Sequence, residues 1–328
     1  MKHALLQMLL VLAAAGLPGG AGAQTPTRSP EFPAKPIRIV VPFTPGSATD
    51  IIARVVGPRM AEHWSVPVVM ENRPSAGGIV ACTTVAEATP DGHTLMVTGS
   101  NFAGSAALYS KLPYDAVRDF SGVSQFASTP LVLVVSSSLG VKSVKELIAL
   151  AHEKPDQLNF GSTGLGSGTH YGAALFNLKA GIKSVHIPYR GSPESLTDLM
   201  AGRVQYITSP VLAAVPLVKS GRVLALGVTT PYRAKALPDV PTIAEAGLPE
   251  FVYEGWYGML APGKTPRKIV NQLAAEVVRI IAMPDIQEQI SNRGAIAKSS
   301  GPEAFDKLVH DEINTRRKVW KAAGVSVE

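Results

Sequence analysis

The chain has 328 residues, 46% hydrophobic and 17% charged, with a net charge of +6 from 31 basic and 25 acidic residues. That length accommodates about two domains of roughly 150 residues. The mix excludes a disordered chain and a collagen-like repeat, and a single cysteine excludes a disulfide scaffold. Lys and Arg are scattered and aromatics make up 6%, so no nucleic-acid partner is expected, and mild basicity suits a small anionic ligand.

The first residues read as an export signal. Met1-Lys2-His3 is basic, Ala4 to Leu17 is apolar, and Ala21-Gly22-Ala23 supplies the small residues a signal peptidase reads. Cleavage is predicted before Gln24, which removes residues 1–23 from the fold. A membrane anchor is the rival reading, but the run is short for one and meets Pro18-Gly19-Gly20. Cys82 then has no internal disulfide partner. Its helical surroundings, Ile79 to Ala86, read as a buried small hydrophobe, with a reactive thiol as the alternative.

Ile37–Val41 is predicted as a strand, followed by a glycine turn and a helix from Ala48 to His63. Val66–Met70 is a second strand, Gly77-Gly78 opens a helix, and Thr94–Thr98 is a third strand. This alternation predicts a parallel sheet with helices on both faces. The pattern then restarts, with strands at Leu131–Val135, Leu158–Phe160, Val185–Ile187, Val204–Ile207 and Val223–Leu226. Its helices are expected at Val144–Ala151, Tyr171–Ala180 and Pro193–Ala201. Ile269–Ile281 and Phe305–Trp320 carry the i, i+3, i+4 apolar spacing of helices. Two α/β units follow, with no low-complexity linker between them. The closing helices return to the first unit, giving a discontinuous domain 1 (24–127 and 231–328) around domain 2 (128–230). At least two strands would join the lobes, and the cleft between them could close like a hinge.

Three strand-to-helix turns carry the chemistry, at the end of the strands where open α/β sheets bind ligands. The first is Pro42 to Asp50. Gly46 permits a turn that points backbone N–H groups outward, the helix dipole favours an anion, and Ser47 and Thr49 are good caps that could also donate hydroxyls. The second, Gly161 to His170, sets four glycines among Ser, Thr and His. Its spacing matches neither a dinucleotide fingerprint nor a P-loop. The third is Pro188-Tyr189-Arg190-Gly191-Ser192, with Ser192 as the expected N-cap. A plain capped helix explains each turn as well as a ligand does, and Arg190 alone in a turn reads as solvated.

No catalytic or metal-binding constellation accompanies them. Gly-x-Ser-x-Gly, His-Glu-x-x-His and Cys-x-x-Cys are all absent, and Asp50, Asp198 and Glu194 have no partner at suggestive spacing. Neither a cofactor nor a metal is expected. Two classes stay open: a ligand-binding receptor, and a secreted α/β hydrolase or transferase using Ser162 or Ser167 with His170. The enzyme would need a base held by a third group.

Taken together, these stretches resemble the Bug family, the extracytoplasmic solute receptors of tripartite tricarboxylate transporters. The markers run in order from about Phe32 to Gly324. They begin with Pro36–Phe43, Pro45-Gly46, Thr49-Asp50, Glu71-Asn72-Arg73-Pro74 and Ala76-Gly77-Gly78. Pro90-Asp91-Gly92, Leu112-Pro113-Tyr114-Asp115 with Asp119-Phe120, and Lys142–Leu147 come next. The Gly161 loop, Pro188–Gly191, Leu237–Thr242 and Leu260–Gly263 complete the set.

The resemblance implies a two-lobed periplasmic-binding-protein fold of the Venus-flytrap, type II-like kind, with central sheets flanked by helices and no enzymatic activity. It implies a periplasmic protein that hands a small carboxylate to membrane transporter subunits, or senses it for signalling. The expected ligand contacts are Phe43, Thr44, Gly46, Ser47, Ala48 and Thr49 in the first loop. Ser162, Thr163, Gly164, Gly166, Ser167 and Thr169 supply the second, with Ser209 at the end of a later strand. Asn101, His170, Tyr189 and Arg190 are further candidates. The first loop departs from the family's common Pro-Pro-Gly-Gly at Thr44 and Ser47. Thr208-Ser209-Pro210 stand where an acidic residue is frequent, which argues against an amino-acid ligand. A mono- or dicarboxylate, aromatic acids included, is expected, and a monomer suits a receptor that must hinge.

Overall fold

The computed structural model describes residues 32–325, apart from the side chain of Ala76. The predicted export signal, residues 1–23, and its cleavage point before Gln24 lie outside the described residues.

The chain opens with β1 (Ile37–Val41), α1 (Ala48–Trp64) and β2 (Val68–Asn72). Next come α2 (Ile79–Ala86), β3 (Thr94–Gly99), α3 (Asn101–Leu108) and the 17-residue β4 (Phe120–Ser136). The second lobe continues with α4 (Val144–Glu153), β5 (Asn159–Ser162), α5 (Gly168–Ala180), β6 (Val185–Pro188), α6 (Ser192–Met200), β7 (Tyr206–Pro210), α7 (Val211–Lys219) and β8 (Val223–Val228). The chain ends with β9 (Glu254–Pro262), α8 (Arg267–Ile281), α9 (Pro284–Asn292), the short β10 (Ile296–Ala297) and α10 (Pro302–Ala322). Gly191, not Ser192, caps α6, since Ser192 already has helical geometry.

The strands form one path, β2-β1-β3-β9-β4-β7-β5-β6, with β8 and β10 also on β4. The expected parallel sheets are therefore corrected to mixed ones. β2, β1 and β3 are parallel, as are β6, β5 and β7. β9 runs antiparallel between β3 and β4, and β4 runs antiparallel to β7 and β8. Apart from the two-residue β10, two strands escaped the sequence pattern, the first half of β4 and all of β9. Their hydrophobic residues alternate with Ser, Thr, Gln and Gly that are buried too, so period-2 patterning fails. Buried polar groups there are bonded, for example Ser124 Oγ to the Ser300 carbonyl at 2.8 Å.

Each lobe has a core on both faces of its sheet. In β1, Ile37, Ile39 and Val41 face α1 and α8, while Val40 faces the layer of α2, α3 and α10. In β4, Leu131, Leu133 and Val135 take one face of the second sheet, and Val132 and Val134 the other. This is the alternation of a strand covered on both sides. α8 buries Val270, Leu273, Ala274 and Val277 in the i, i+3, i+4 order, the Val and Leu side chains each contributing roughly 1.5–3 kcal/mol on burial. Cys82 is fully buried beside Met96 Sδ, and burial pushes its thiol up to about 12. The return to domain 1 was expected at residue 231. Instead Ala234, Leu237, Ile243 and Phe251 pack into the second lobe's cores, and the chain rejoins the first sheet at β9. That stretch contains no regular element whose periodicity could have shown which sheet it covers.

The lobes approach closely. A Cβ on Gly104 of α3 would stand 1.8 Å from the carbonyl oxygen of Gly166 on the other lobe, so only glycine permits this contact. The Thr44 hydroxyl reaches across to Glu194 Oε2 at 3.2 Å. Gly104→Ala is expected to hold the lobes apart and raise the radius of gyration in small-angle X-ray scattering. An unchanged scattering profile would mean that the contact relaxes locally.

Candidate functional site

The first glycine turn is built around Asp50. Gly46 adopts φ 78°, a left-handed conformation that other residues rarely take. Its N–H then donates to Asp50 Oδ2 at 2.9 Å. Arg54 Nε donates to the same oxygen at 3.0 Å, and Asn72 Nδ2 ties Asp50 Oδ1 (3.0 Å) to the Phe43 carbonyl (2.9 Å). Burial raises the Asp50 carboxyl, but Arg54, the Gly46 N–H and Asn72 together hold it below the usual range. Ser47 caps α1 by accepting the Asp50 N–H at 3.4 Å. Capping of this kind contributes about 1 kcal/mol.

The second turn is an internally bonded hydroxyl cluster. Ser167 caps α5, accepting the His170 N–H at 3.1 Å. Thr169 Oγ1 accepts the Thr163 N–H at 2.8 Å and lies 2.9 Å from Ser167 Oγ. Ser162 Oγ accepts the Gly164 N–H at 3.1 Å. Thr208 braces α5 through the Thr169 carbonyl at 2.7 Å.

These two turns face each other across a narrow cavity of about 40 Å³, space for a few waters. Of the expected residues, Phe43, Ser47, Ala48 and Thr49 line it from one lobe and Thr163 and Thr169 from the other, with Asn101 between. The first N–H groups of a helix have no intrahelical acceptor. Those of α1 (Ala48, Thr49) and α5 (Gly168, Thr169) therefore serve one cavity, and both dipoles favour an anion there. Asn101 adds a third source. Its Oδ1 accepts from the Thr98 hydroxyl and the Gly99 N–H, both at 3.1 Å, while its buried Nδ2 has no partner among the described residues. No charged side chain lines the cavity among the described residues.

The other expected residues lie outside the lining. Gly46, Ser162, Gly164, Gly166 and Ser167 shape the two turns from behind. Thr44 joins the lobes at Glu194, and Ser209 is buried one position before the lining residue Pro210. Tyr189 is turned to Asp198, bonded at 2.8 Å, and Arg190 is exposed. His170 points away from the cavity. Its Nδ1 accepts the Gly166 N–H, and its ring stacks on His186 at 3.9 Å and against Trp320. Ser162 Oγ lies 2.6 Å from His186 Nε2, but this serine is fully buried behind the loop, and among the described residues no carboxylate orients His186. Sequence reasoning missed Gly99 and Ser100 after β3, Thr129 and Leu131 at the crossing of β4, and Ser192 as a wall. It also missed Tyr253 and Gly255 to Tyr257 at the start of β9. Only the aromatic run Trp256-Tyr257 beside Gly255 offered a signal, and its partner strand lies far away in sequence.

Burial, then the neighbouring His186 and Arg316 charges, lower His170 to about 2, and burial lowers His186 to about 4. Both are neutral when folded, whereas an unfolded histidine titrates near 6.5. Unfolding therefore takes up protons below that value, so stability is full above about pH 6.5 and falls as pH drops toward 4, by up to ~1.4 kcal/mol per pH unit per histidine. Melting temperature from pH 7 to 4.5 should decline accordingly. His186→Gln, which keeps a polar partner for Ser162 but cannot protonate, should flatten the decline. An equal slope in that variant would assign the loss to other groups.

Residues 52–325 match the family described as tripartite tricarboxylate transporter family receptor. Protein BugT of Bordetella pertussis is 32% identical over 310 residues, covering 94% of this chain and 95% of that one. R. palustris Rpa4515, solved with adipate, superposes with a TM-score of 0.87 at 34% identity, covering 90% of this chain and 99% of that one. MatC from Rhodopseudomonas palustris, solved with bound malate, gives 0.84 at 33% identity, covering 88% and 99%. Sequence and fold agree: this chain belongs to the receptors of the tripartite tricarboxylate transporter family, the Bug receptors.

Proposed function

We propose that this protein captures a small carboxylate, preferentially a dicarboxylate without an amine, between its lobes in the periplasm and delivers it unchanged to a tripartite membrane transporter. The observation that carries this reading is the convergence of two helix N-termini from opposite lobes on one cavity where, among the described residues, Asn101 Nδ2 has no partner and no wall is charged. Relatives solved with adipate and malate support the ligand class. Each charge-assisted hydrogen bond nets roughly 1.5–3 kcal/mol. Four or five of them reach about −8 kcal/mol, micromolar affinity, after association costs. Among the described residues no carboxylate side chain lines the cavity to receive an ammonium group, which favours amine-free acids. The small cavity and the Thr44–Glu194 bridge describe a closed form, so the lobes must part to admit a ligand, and the ligand favours closure by touching both. The receptor is taken to act as a monomer, cut before Gln24.

The test is the melting temperature of the refolded mature chain against a panel of organic acids. A ligand at 100 times its dissociation constant adds about 2.7 kcal/mol. A rise with a dicarboxylate, and none with its diamide, is expected. Tighter binding of aspartate or glutamate than of any amine-free acid would overturn the ligand class. Asn101→Asp retains an oxygen for Thr98 and Gly99 but replaces the free donor with an anion. Like charges about 4 Å apart at an effective dielectric of about 20 repel by about 4 kcal/mol, so calorimetry should find affinity reduced at least ~100-fold at an unchanged fold. Wild-type affinity in Asn101→Asp would place the ligand elsewhere.

A further inference from the structure

Arg316 on α10 belongs to neither glycine turn, and its side chain is fully buried. Its Nε and Nη2 donate to Glu312 Oε1 at 3.0 and 2.6 Å, and Nη2 also donates to the Tyr253 hydroxyl oxygen at 2.7 Å. The guanidinium carbon stands 4.2 Å from the centre of the Tyr171 ring. The second Glu312 oxygen accepts the indole N–H of Trp256. Tyr253 and Trp256 both line the cleft. An ion pair hidden behind the cleft thus fixes two of its aromatic walls.

Packing alone would hold those rings with less desolvation, because a buried ion pair loses hydration that its own attraction only partly offsets. Nη1, without a partner among the described residues, adds to that cost. What the guanidinium supplies and an apolar residue does not is direction. A guanidinium only donates, so it occupies a lone pair of the phenol oxygen and turns the phenol's own proton elsewhere. The Ser100 hydroxyl also lies beside Tyr253: its oxygen accepts the Trp256 backbone N–H at 3.0 Å, and its own O–H is placed to donate to the phenol oxygen. Burial raises the Tyr253 ionisation, so the proton is retained. The phenol oxygen lies 2.9 Å from where a Cβ on Gly168 would stand, beside the first residue of α5.

We infer that Tyr253 is a ligand-binding residue, a hydroxyl donor aimed at the same carboxylate as the N-terminus of α5, and that Arg316 is the positioning residue that commits it to donate. The inference rests on the carboxylate reading above. It also gives the site a criterion for selection. A carboxylate only accepts, whereas the N–H₂ of a carboxamide would meet a hydroxyl oxygen already engaged by Arg316 and Ser100.

Calorimetric titration with adipate and malate as probes tests it, using the mature chain and its Tyr253→Phe, Arg316→Met and double variants. Tyr253→Phe keeps the ring over the guanidinium and should weaken the tighter-binding acid 10- to 100-fold, with the unliganded melting temperature within a few degrees. Arg316→Met should lose a similar factor, and the double variant no more than the larger single loss, because both remove one donor. Affinity within twofold of wild type in Tyr253→Phe overturns the inference, and multiplicative losses reduce Arg316 to a structural residue. If Arg316→Met does not fold, Arg316→Lys, which keeps the charge without the fork, is held to the same criterion. Failure of the wild-type chain to bind any acid in the panel overturns the carboxylate reading itself, an outcome distinct from binding that ignores Tyr253.

Discussion

Everything in this molecule is referred to β4. One strand of 17 residues is buried along nearly its whole length and belongs to both sheets, pairing with β9 over its first part and with β7 and β8 over its last. Because its pairing partners change near Pro130 and Leu131, the lobes meet there, and the cleft opens beside that point. Thr129 and Leu131 of β4 and Gly255 to Tyr257 of β9 form its floor. A strand pair offers two stiff connections that bend at one place, which suits lobes that open and close about a fixed site.

The proposed site balances anion affinity against the cost of buried charge. Lysine or arginine in the cavity wall would bind a carboxylate but would stand desolvated and unpaired in the closed form without it. Helix N-termini and amides provide partial positive charge that is already oriented and needs no counter-ion. Two ion pairs lie one layer out. Asp50 with Arg54 shapes the first turn, and Glu312 with Arg316 holds Tyr253 and Trp256. The histidine stack behind α5 likewise stays neutral, so the second turn owes its shape to hydrogen bonds and packing.

Much of the fold and part of the site were legible because their signals are local. The apolar run Ile37–Val41, the amphipathic Ile269–Ile281 and the glycine-hydroxyl turns announce a strand, a helix and two anion-seeking helix starts from neighbours in sequence. Phe43, Ser47 to Thr49, Thr163 and Thr169 line the cavity. Ser162, Gly166 and His170 resemble site residues in sequence and act behind it, because only the direction of each side chain within the loop separates the two roles.

Sequence by itself determined the alternation of strands and helices, the Ser47 cap of α1 and, through the order of its motifs, the family. Tertiary structure decided the rest. It turned parallel units into mixed sheets through β4 and β9, and kept residues 234–251 on the second lobe. It brought Asn101, Tyr253 and Trp256 to one cavity. The physical reason is range: a cap or an amphipathic face is set by residues three or four positions apart. The pairing of Ser128 with Trp256, or the reach of Arg316 to Tyr253, depends on the whole chain having closed around β4.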